Sequence, residues 1–415
     1  MPGRSTSSCR CVSKNIQASA AGDVPDGGAA ALAPPLAVRR LTLTNFRCYD
    51  SALLECEARS LVLTGPNGAG KTNLLESVSL LTPGRGMRRA RIDALDRRPP
   101  GLDPDSAGLP WAVAAQLDTP SGPISIGTGR DRDSGAETST RRTVRIDGFP
   151  QKSQAALADH VAVTWLVPSM DRLFQEGASG RRRFFDRLVY GLDSGHAGRV
   201  AAYEHAMRER SRLLKLGGGD QRWMDALEET MATKGIAIAA ARVEMLHRLS
   251  AVIAETEGPF PKADIALEGG IESWLDGQPA VAVEDRLRQT LREGRSIDAA
   301  AASAQTGPHR TALAERHPAK HQPAAACSTG EQKALLIAIV LADARLCTKI
   351  RGFPPLLLLD EIVAHLDSER RAALFDAIEA MQAQAWMTGT DRSLFSDLAG
   401  RAQFIDVDNA VISME

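Results

Sequence analysis

The chain has 415 residues, with 50 Lys plus Arg against 51 Asp plus Glu and a hydrophobic fraction of 43%. That length allows two or three domains, or one large domain carrying an insertion, and no apolar run approaches the roughly 18 residues of a membrane span. A formal net charge of −1 excludes a polybasic, histone-like protein but not a locally basic face, and with 10 Phe, 5 Trp and 3 Tyr an aromatic base-stacking platform is disfavoured.

Residues 1–36 are rich in Ser, Ala, Gly and Pro, lack periodicity and read as a disordered tail without a secretory apolar segment. The tail's Ser and Arg resemble a transit peptide only faintly, and an over-extended reading frame explains them equally well. Alternation over Arg40–Phe46 predicts a strand, Leu61–Thr64 a short buried strand, and the apolar spacing from Asn73 to Leu81 a helix. Residues 82–110 look like an irregular, arginine-rich surface segment. Residues 111–149 read as antiparallel strands with a polar loop near 129–140.

From about 181 to 256 the pattern is helical, and two amphipathic stretches flank Gly217-Gly218-Gly219, which predicts an antiparallel helix pair. Residues 259–281 hold a short strand or two, 282–304 a helix, 305–325 a loop and 329–347 an apolar helix. Leu356 to Leu359 is the kind of run a parallel strand shows when both its faces are covered. The cysteines Cys9, Cys11, Cys48, Cys56, Cys327 and Cys347 form no C-x-x-C pair and read as reduced thiols, mostly core filler.

The segment Gly65-Pro66-Asn67-Gly68-Ala69-Gly70-Lys71-Thr72 matches G-x-x-x-x-G-K-[ST] between a predicted strand and a predicted helix. In that context the glycines let backbone N–H groups turn toward phosphates at a helix N-terminus, Lys71 neutralises phosphate charge, and the Thr72 hydroxyl ligates Mg²⁺. The leucine strand ends in Asp360-Glu361, a Walker B pattern, where Asp360 would hold Mg²⁺ and Glu361 would polarise the attacking water. The predicted cofactors are therefore ATP and Mg²⁺, and the predicted catalytic residues are Lys71 and Glu361.

Ser328-Thr329-Gly330-Glu331-Gln332 opens the apolar helix upstream of Walker B, and Ala364-His365-Leu366-Asp367 follows it. The first resembles the signature of ABC-type ATPases and the second, through Asp367, their D-loop; Thr329 and Glu331 depart from the transporter pattern. The resemblance implies an α/β ABC-type P-loop ATPase head that sandwiches ATP in a homodimer, each signature closing on the other copy's nucleotide.

The interval between Lys71 and Ser328 is too long for a transporter subunit and too short for the coiled coil of a chromosome-maintenance (SMC) protein. It resembles the RecF family of SMC-related ATPases. So do Leu41–Arg47 with Tyr49, Gly84-Arg85-Gly86-Met87-Arg88, Pro168–Leu173 with Gly180–Asp186, Thr306-Gly307-Pro308-His309-Arg310 and Thr388-Gly389-Thr390. Cys48 stands where that family commonly has Asn.

The resemblance implies a slow, regulatory ATPase of recombinational DNA repair, replication-fork maintenance and the SOS response. It would bind gapped DNA and single-strand/double-strand junctions as an ATP-closed dimer and help load RecA with RecO and RecR, in the cytoplasm at the nucleoid and with no membrane partner. The domains would be a tail (1–36), ATPase lobe I (37–180), an inserted helical lobe II (181–305) and a second ATPase segment (306–415). Arg47 would either help hold the nucleotide or stand as an exposed strand-end arginine, and Arg85, Arg88, Arg89, Arg141 and Arg142 would contact DNA, with Arg181, Arg182 and Arg183 as a further basic group. Gln116 and Gln154 are both open as Q-loop residues, and His309 is either a phosphate sensor or a loop hydrogen-bonder. The alternatives are the ATPase subunit of a transporter and a non-hydrolysing SMC-like scaffold.

Overall fold

The computed structural model describes residues 36–414 apart from 102, 104–105, 107, 131–141, 218–219, 318–319 and 321. Residues 1–35 of the expected N-terminal tail, with Cys9 and Cys11, and Arg141 lie outside the described residues, while Leu36 is buried in the core. Strands β1 (Ala37–Phe46) and β2 (Tyr49–Glu55) form a hairpin, and β3 (Ser60–Thr64) leads through the glycine-rich loop into helix α1 (Lys71–Ser79). Strands β4 (Ala112–Asp118), β5 (Ile124–Arg130), β6 (Arg142–Ile146) and β7 (Phe149–Pro150) return to the hairpin. They complete an antiparallel sheet of order β2-β1-β4-β5-β6-β7. In β4, Val113, Ala115 and Leu117 are buried while Ala112, Ala114 and Gln116 are exposed, the alternation of a sheet with one wet face.

Strand β8 (Val163–Leu166) precedes three helices, α2 (Ala178–Leu192), α3 (His196–Lys215) and α4 (Gln221–Glu255). Then come β9 (Asp264–Glu268), α5 (Gly270–Leu275), α6 (Ala280–Glu293), α7 (Arg295–Ala301), β10 (Ala312–His317) and β11 (Gln322–Pro323). The chain closes with α8 (Thr329–Arg351), β12 (Leu356–Leu359), α9 (Ser368–Ala380), β13 (Ala385–Gly389), β14 (Ala402–Asp408) and β15 (Val411–Met414). The central sheet has the order β15-β14-β3-β13-β12-β8, parallel throughout except for the edge strand β15.

The leucine run shows how this sheet is held. Leu356 and Leu358 pack into the core shared with the antiparallel sheet and α1, whereas Leu357 and Leu359 pack into the core under α2, α8 and α9. A period of two divides four identical residues between two hydrophobic layers, so neither face of β12 meets water.

The expected loop at 305–325 contains β10 and β11, because Leu313 and Glu315 alternate inward against β9. Strand β8 had no counterpart among the predicted elements; four residues gave too short a pattern to separate from a buried turn. The boundary expected at 181 falls inside α2, whose Phe184, Phe185, Leu188 and Val189 belong to the core on one face of the central sheet.

Helix α4 joins the two parts mechanically. Its 35 residues span about 50 Å. Its C-terminal half places Met245, Leu249, Val252 and Ile253 in that same core under the central sheet, while Leu227, Met231 and Ile236 form a separate lobe core with α3 and α6. Ion pairs lock this lobe. Fully buried Arg210 donates to Glu228 (2.9 Å), Asp298 (2.7 Å) and the Leu291 carbonyl (2.6 Å). Arg242 grips Asp186 through two bonds of 2.8 Å, and buried His196 adds a third contact to the same carboxylate at 2.9 Å. Removing one partner from such a group strands a charge in a low-dielectric interior. Arg210→Met should therefore cost about 3–5 kcal/mol of stability, seen as a lower denaturant midpoint; an unchanged midpoint would show that the network contributes nothing.

Candidate functional site

The site lies at the carboxyl ends of β3 and β12, with β13 between them, where open parallel sheets bind ligands. Backbone geometry explains the glycines. Gly65 has φ 141°, and a Cβ there would meet the Val407 carbonyl oxygen at 2.0 Å. Gly70, at φ 115°, caps α1, and a Cβ there would meet the Tyr49 hydroxyl at 2.6 Å. The loop is braced from β14–β15: the Ala410 N–H donates to the Ala69 carbonyl (2.9 Å), and the Thr64 hydroxyl donates to Asp406.

The Lys71 side chain is buried and folds over the loop, its Nζ donating to the carbonyls of Gly65 (2.6 Å) and Pro66 (2.9 Å). Burial holds its ammonium below the usual lysine range, opposed by Glu361 and Asp360. Next to it, the Thr72 hydroxyl donates to Asp360 Oδ1 at 2.9 Å. The Thr388 hydroxyl, at the end of β13, donates to the same oxygen at 2.8 Å and accepts the Glu361 N–H at 2.8 Å. Thr388 was visible in the sequence only as part of a family-like Thr-Gly-Thr. The fold makes it the link between the acidic pair and the strand separating that pair from the phosphate loop. Glu361 has φ 54°, an uncommon conformation for a non-glycine residue, and Thr388 fixes it there.

The Thr72 and Asp360 oxygens fit Mg²⁺, a hard cation that takes few protein oxygens and completes its shell with water and phosphate. The signature turn sits at the N-terminus of α8. The Ser328 hydroxyl accepts the Glu331 N–H (3.4 Å) and the Glu331 carboxylate accepts the Ser328 N–H (3.0 Å), a reciprocal cap. Lys320, with help from the Ser328 amide, holds the Glu331 carboxyl down to about 2. Glu331, a departure from the transporter pattern, thus has a folding reason. Thr329 and Gly330 open the helix, and Gln332 is buried with its amide on the Cys327 carbonyl (2.9 Å). Asp367 likewise caps α9 by accepting the Arg370 N–H at 2.8 Å.

Other expectations change. Arg47 does not present a free guanidinium to the phosphate loop: Nε and Nη2 grip both oxygens of Glu76 on α1, at 2.9 and 2.8 Å, and Nη1 donates to the Ala94 carbonyl. Arg142 is not a DNA contact. It is buried on the inward face of β6 in phase with Val144 and Ile146, and it donates to Thr128 and to the carbonyls of Leu80, Thr82 and Gly84. Burial pushes that guanidinium down to about 10. The strand alternation would have revealed this.

Arg181 and Arg182 donate to the Leu313 and Thr311 carbonyls, tying α2 to β10, whereas Arg183 is exposed. Arg85 and Arg89 are exposed on the segment after α1, and exposed Arg88 is held by Asn73 (3.1 Å) and Glu76 (3.7 Å). Neither glutamine reaches the phosphate loop through its hydrogen bonds. Gln116 lies on the wet face of β4, and Gln154 accepts from the Gly84 N–H and Arg142. His309 is engaged at both ring nitrogens, by the Tyr203 hydroxyl (2.7 Å) and the Ala304 carbonyl (2.9 Å), and burial lowers its basicity.

The order of parts defines the class. A phosphate-loop strand, a long insertion and a capped signature helix leading into an acidic strand end make this an ABC-type P-loop ATPase head split by a helical lobe. A family model described as an AAA domain matches residues 40–107. The chain is 49% identical over 377 residues to a DNA replication and repair protein RecF of Mesorhizobium japonicum, covering 90% of this chain and 97% of the relative. It is 49% identical over 375 residues to a protein of the same name from Brucella suis, covering 90% and 94%. The chain belongs to the RecF family of DNA replication and repair proteins.

The fold agrees with this. A structure of the recombination mediator protein RecF with ATP in the RecFOR pathway superposes with a TM-score of 0.78 at 20% identity, covering 94% of this chain and all of the other. An SMC head bound to the C-terminal winged-helix domain of ScpA matches at 0.51 and 15% identity, over 91% and 97%. Among the described residues no helix is long and apolar enough to cross a membrane, and the transporter and scaffold alternatives have no support.

Thr388→Val removes the hydroxyl shared by Asp360 and Glu361 while keeping its volume. A lost buried hydrogen bond of about 1–3 kcal/mol should lower ATP turnover roughly tenfold or more, with ATP affinity within about threefold. Turnover equal to wild type would remove Thr388 from the site.

Proposed function

We propose that this protein binds ATP with Mg²⁺, closes as a homodimer around gapped DNA or a single-strand/double-strand junction, and opens again on slow hydrolysis. The observation that carries the reading is the convergence of Lys71, Thr72, Asp360 and Glu361 at the ends of two strands that flank β13. The backbone N–H groups of Asn67 to Thr72 and the amino end of α1 cradle the triphosphate. Lys71 exchanges the carbonyls of Gly65 and Pro66 for phosphate oxygens. Thr72 and Asp360 hold Mg²⁺, which when bound offsets charge on the phosphates. Glu361 takes the proton of the attacking water.

The turn Ser328–Gln332 serves the second copy's nucleotide, and Asp367 lies at the same junction. Its own backbone cap leaves this turn folded before any partner arrives. Nucleotide closure would bring two DNA-binding faces together, which reconciles a net charge of −1 with nucleic-acid binding. Exposed Arg85, Arg88 and Arg89 are part of that face; Arg141 remains in the proposal by its sequence neighbourhood alone. The family relationship and the RecFOR pathway of the solved relative support RecO and RecR as partners and RecA loading as the outcome. They support a cytoplasmic, nucleoid-associated site of action as well.

Glu361→Gln keeps the site's shape but removes the base. It should accumulate as an ATP-dependent dimer on gapped DNA by analytical ultracentrifugation; a variant that stays monomeric with ATP would refute the clamp. Lys71→Met should lose ATP-stimulated DNA binding, and binding equal to wild type would show that nucleotide and DNA are uncoupled.

A further inference from the structure

The Gly307-Pro308-His309-Arg310 turn has no role in the nucleotide site, yet it contributes His309 and Arg310 to one wall of a basic cleft on the helical lobe. This open cleft of about 590 Å³ is lined by Arg208, Ser211, Arg212 and Lys215 from α3 and, opposite, by Ala302–Ala304 with His309 and Arg310. Among the described lining residues four are cationic and none is a carboxylate. Glu204 and Glu209 pair with Arg208 (3.7 Å) and Arg212 (2.9 Å) from outside the lining.

The wall is built rather than incidental. Gly307 has φ 145°, and a Cβ there would meet the Tyr203 hydroxyl at 2.1 Å, so the turn packs directly onto α3. The Ala304 carbonyl accepts from His309 Nε2 (2.9 Å) and from Arg310 Nε (3.2 Å) and Nη2 (3.1 Å). Arg310 is thereby held at the exposed rim through Nε and Nη2. Across the cleft, Arg208, Arg212 and Lys215 follow helical spacing and form a cationic row of about 10 Å.

We infer that this cleft on the helical lobe is a binding site for the sugar-phosphate backbone of DNA, separate from the arginines that follow the phosphate-loop helix. A row of that length matches two or three successive phosphates, and the absence of carboxylates from the lining matches a polyanion. Its contacts are to phosphate and carry no base sequence. The inference rests on the proposed DNA binding of the whole protein and adds where on the lobe part of it occurs.

The test is the double charge reversal Arg212→Glu with Lys215→Glu in the full chain, both residues being exposed and remote from the nucleotide. Binding of a fluorescein-labelled gapped duplex is followed by anisotropy, with ATP, from about 50 to 200 mM NaCl. DNA-free ATP hydrolysis and the thermal midpoint report folding and should match wild type. The inference requires about tenfold or greater weakening at the lowest salt and a log–log salt slope shallower by about 2, one unit per lost phosphate contact. The milder Arg212→Gln with Lys215→Gln should weaken binding in the same direction, so a reversal that fails to fold does not rescue the idea. Wild-type affinity and slope in the glutamine variant would overturn it, including the case in which the cleft serves an acidic protein segment. Wild-type protein that itself fails to bind the duplex would instead refute the DNA-binding reading on which the inference rests.

Discussion

One carboxylate organises the nucleotide site. Asp360 is almost fully buried at the end of a strand with no wet face, and one of its oxygens takes hydroxyl bonds from both Thr72 and Thr388. Those two donors belong to different segments, the first turn of the phosphate-loop helix and the end of the strand beside it. Thr388 then passes the constraint on by accepting the amide of Glu361, which holds that residue in a left-handed conformation. A polar group in such a position is tolerable only when hydrogen-bonded, so the same interactions that satisfy it also fix the relative positions of the lysine loop and the acidic pair. The alternation of four leucines between two cores supplies the rigid base for this joint.

The rest of the head is arranged around that joint. The C-terminal hairpin presses on the phosphate loop from one side through Val407 and Ala410, and the β1–β2 turn presses from the other through Tyr49. On the far side of the acidic strand, α8 begins with a self-contained cap. Helix α4 runs from the core beneath α8 into the helical lobe, so the lobe cannot turn independently of the ATPase core without breaking apolar packing at one end or buried ion pairs at the other. A closure that brings two signature turns onto two nucleotides would therefore carry the lobes, and the DNA surfaces proposed on them, as rigid extensions.

Much of this was legible in the sequence, for identifiable reasons. The phosphate loop, the leucine strand and the capped helix each combine a local conformational requirement with a periodic pattern, and such features survive any tertiary context. What the sequence concealed depended on partners distant along the chain. Arg142 looked like a DNA contact beside two other basic residues, yet its phase in β6 turns it inward, where carbonyls from the segment after α1 consume its donors. The partner that engages the Arg47 guanidinium, Glu76, lies twenty-nine residues later. Strand β8 was too short to show a period, and its place was set only by pairing with β12. The basic cleft joins residues near 210 with others near 305, so no window along the chain could contain it.

In the proposed dimer each head holds a complete phosphate site but borrows its signature from a second copy. Mixing two inactive variants tests this directly. Lys71→Ala retains the Ser328 turn, and Ser328→Arg retains the phosphate loop, so a mixed dimer has one site in which both halves are intact. ATP turnover, negligible for either variant alone, should reappear on mixing and peak near equal amounts of the two. Turnover that stays at the level of the separate variants, although the mixture dimerises with ATP, would contradict a signature acting across the dimer.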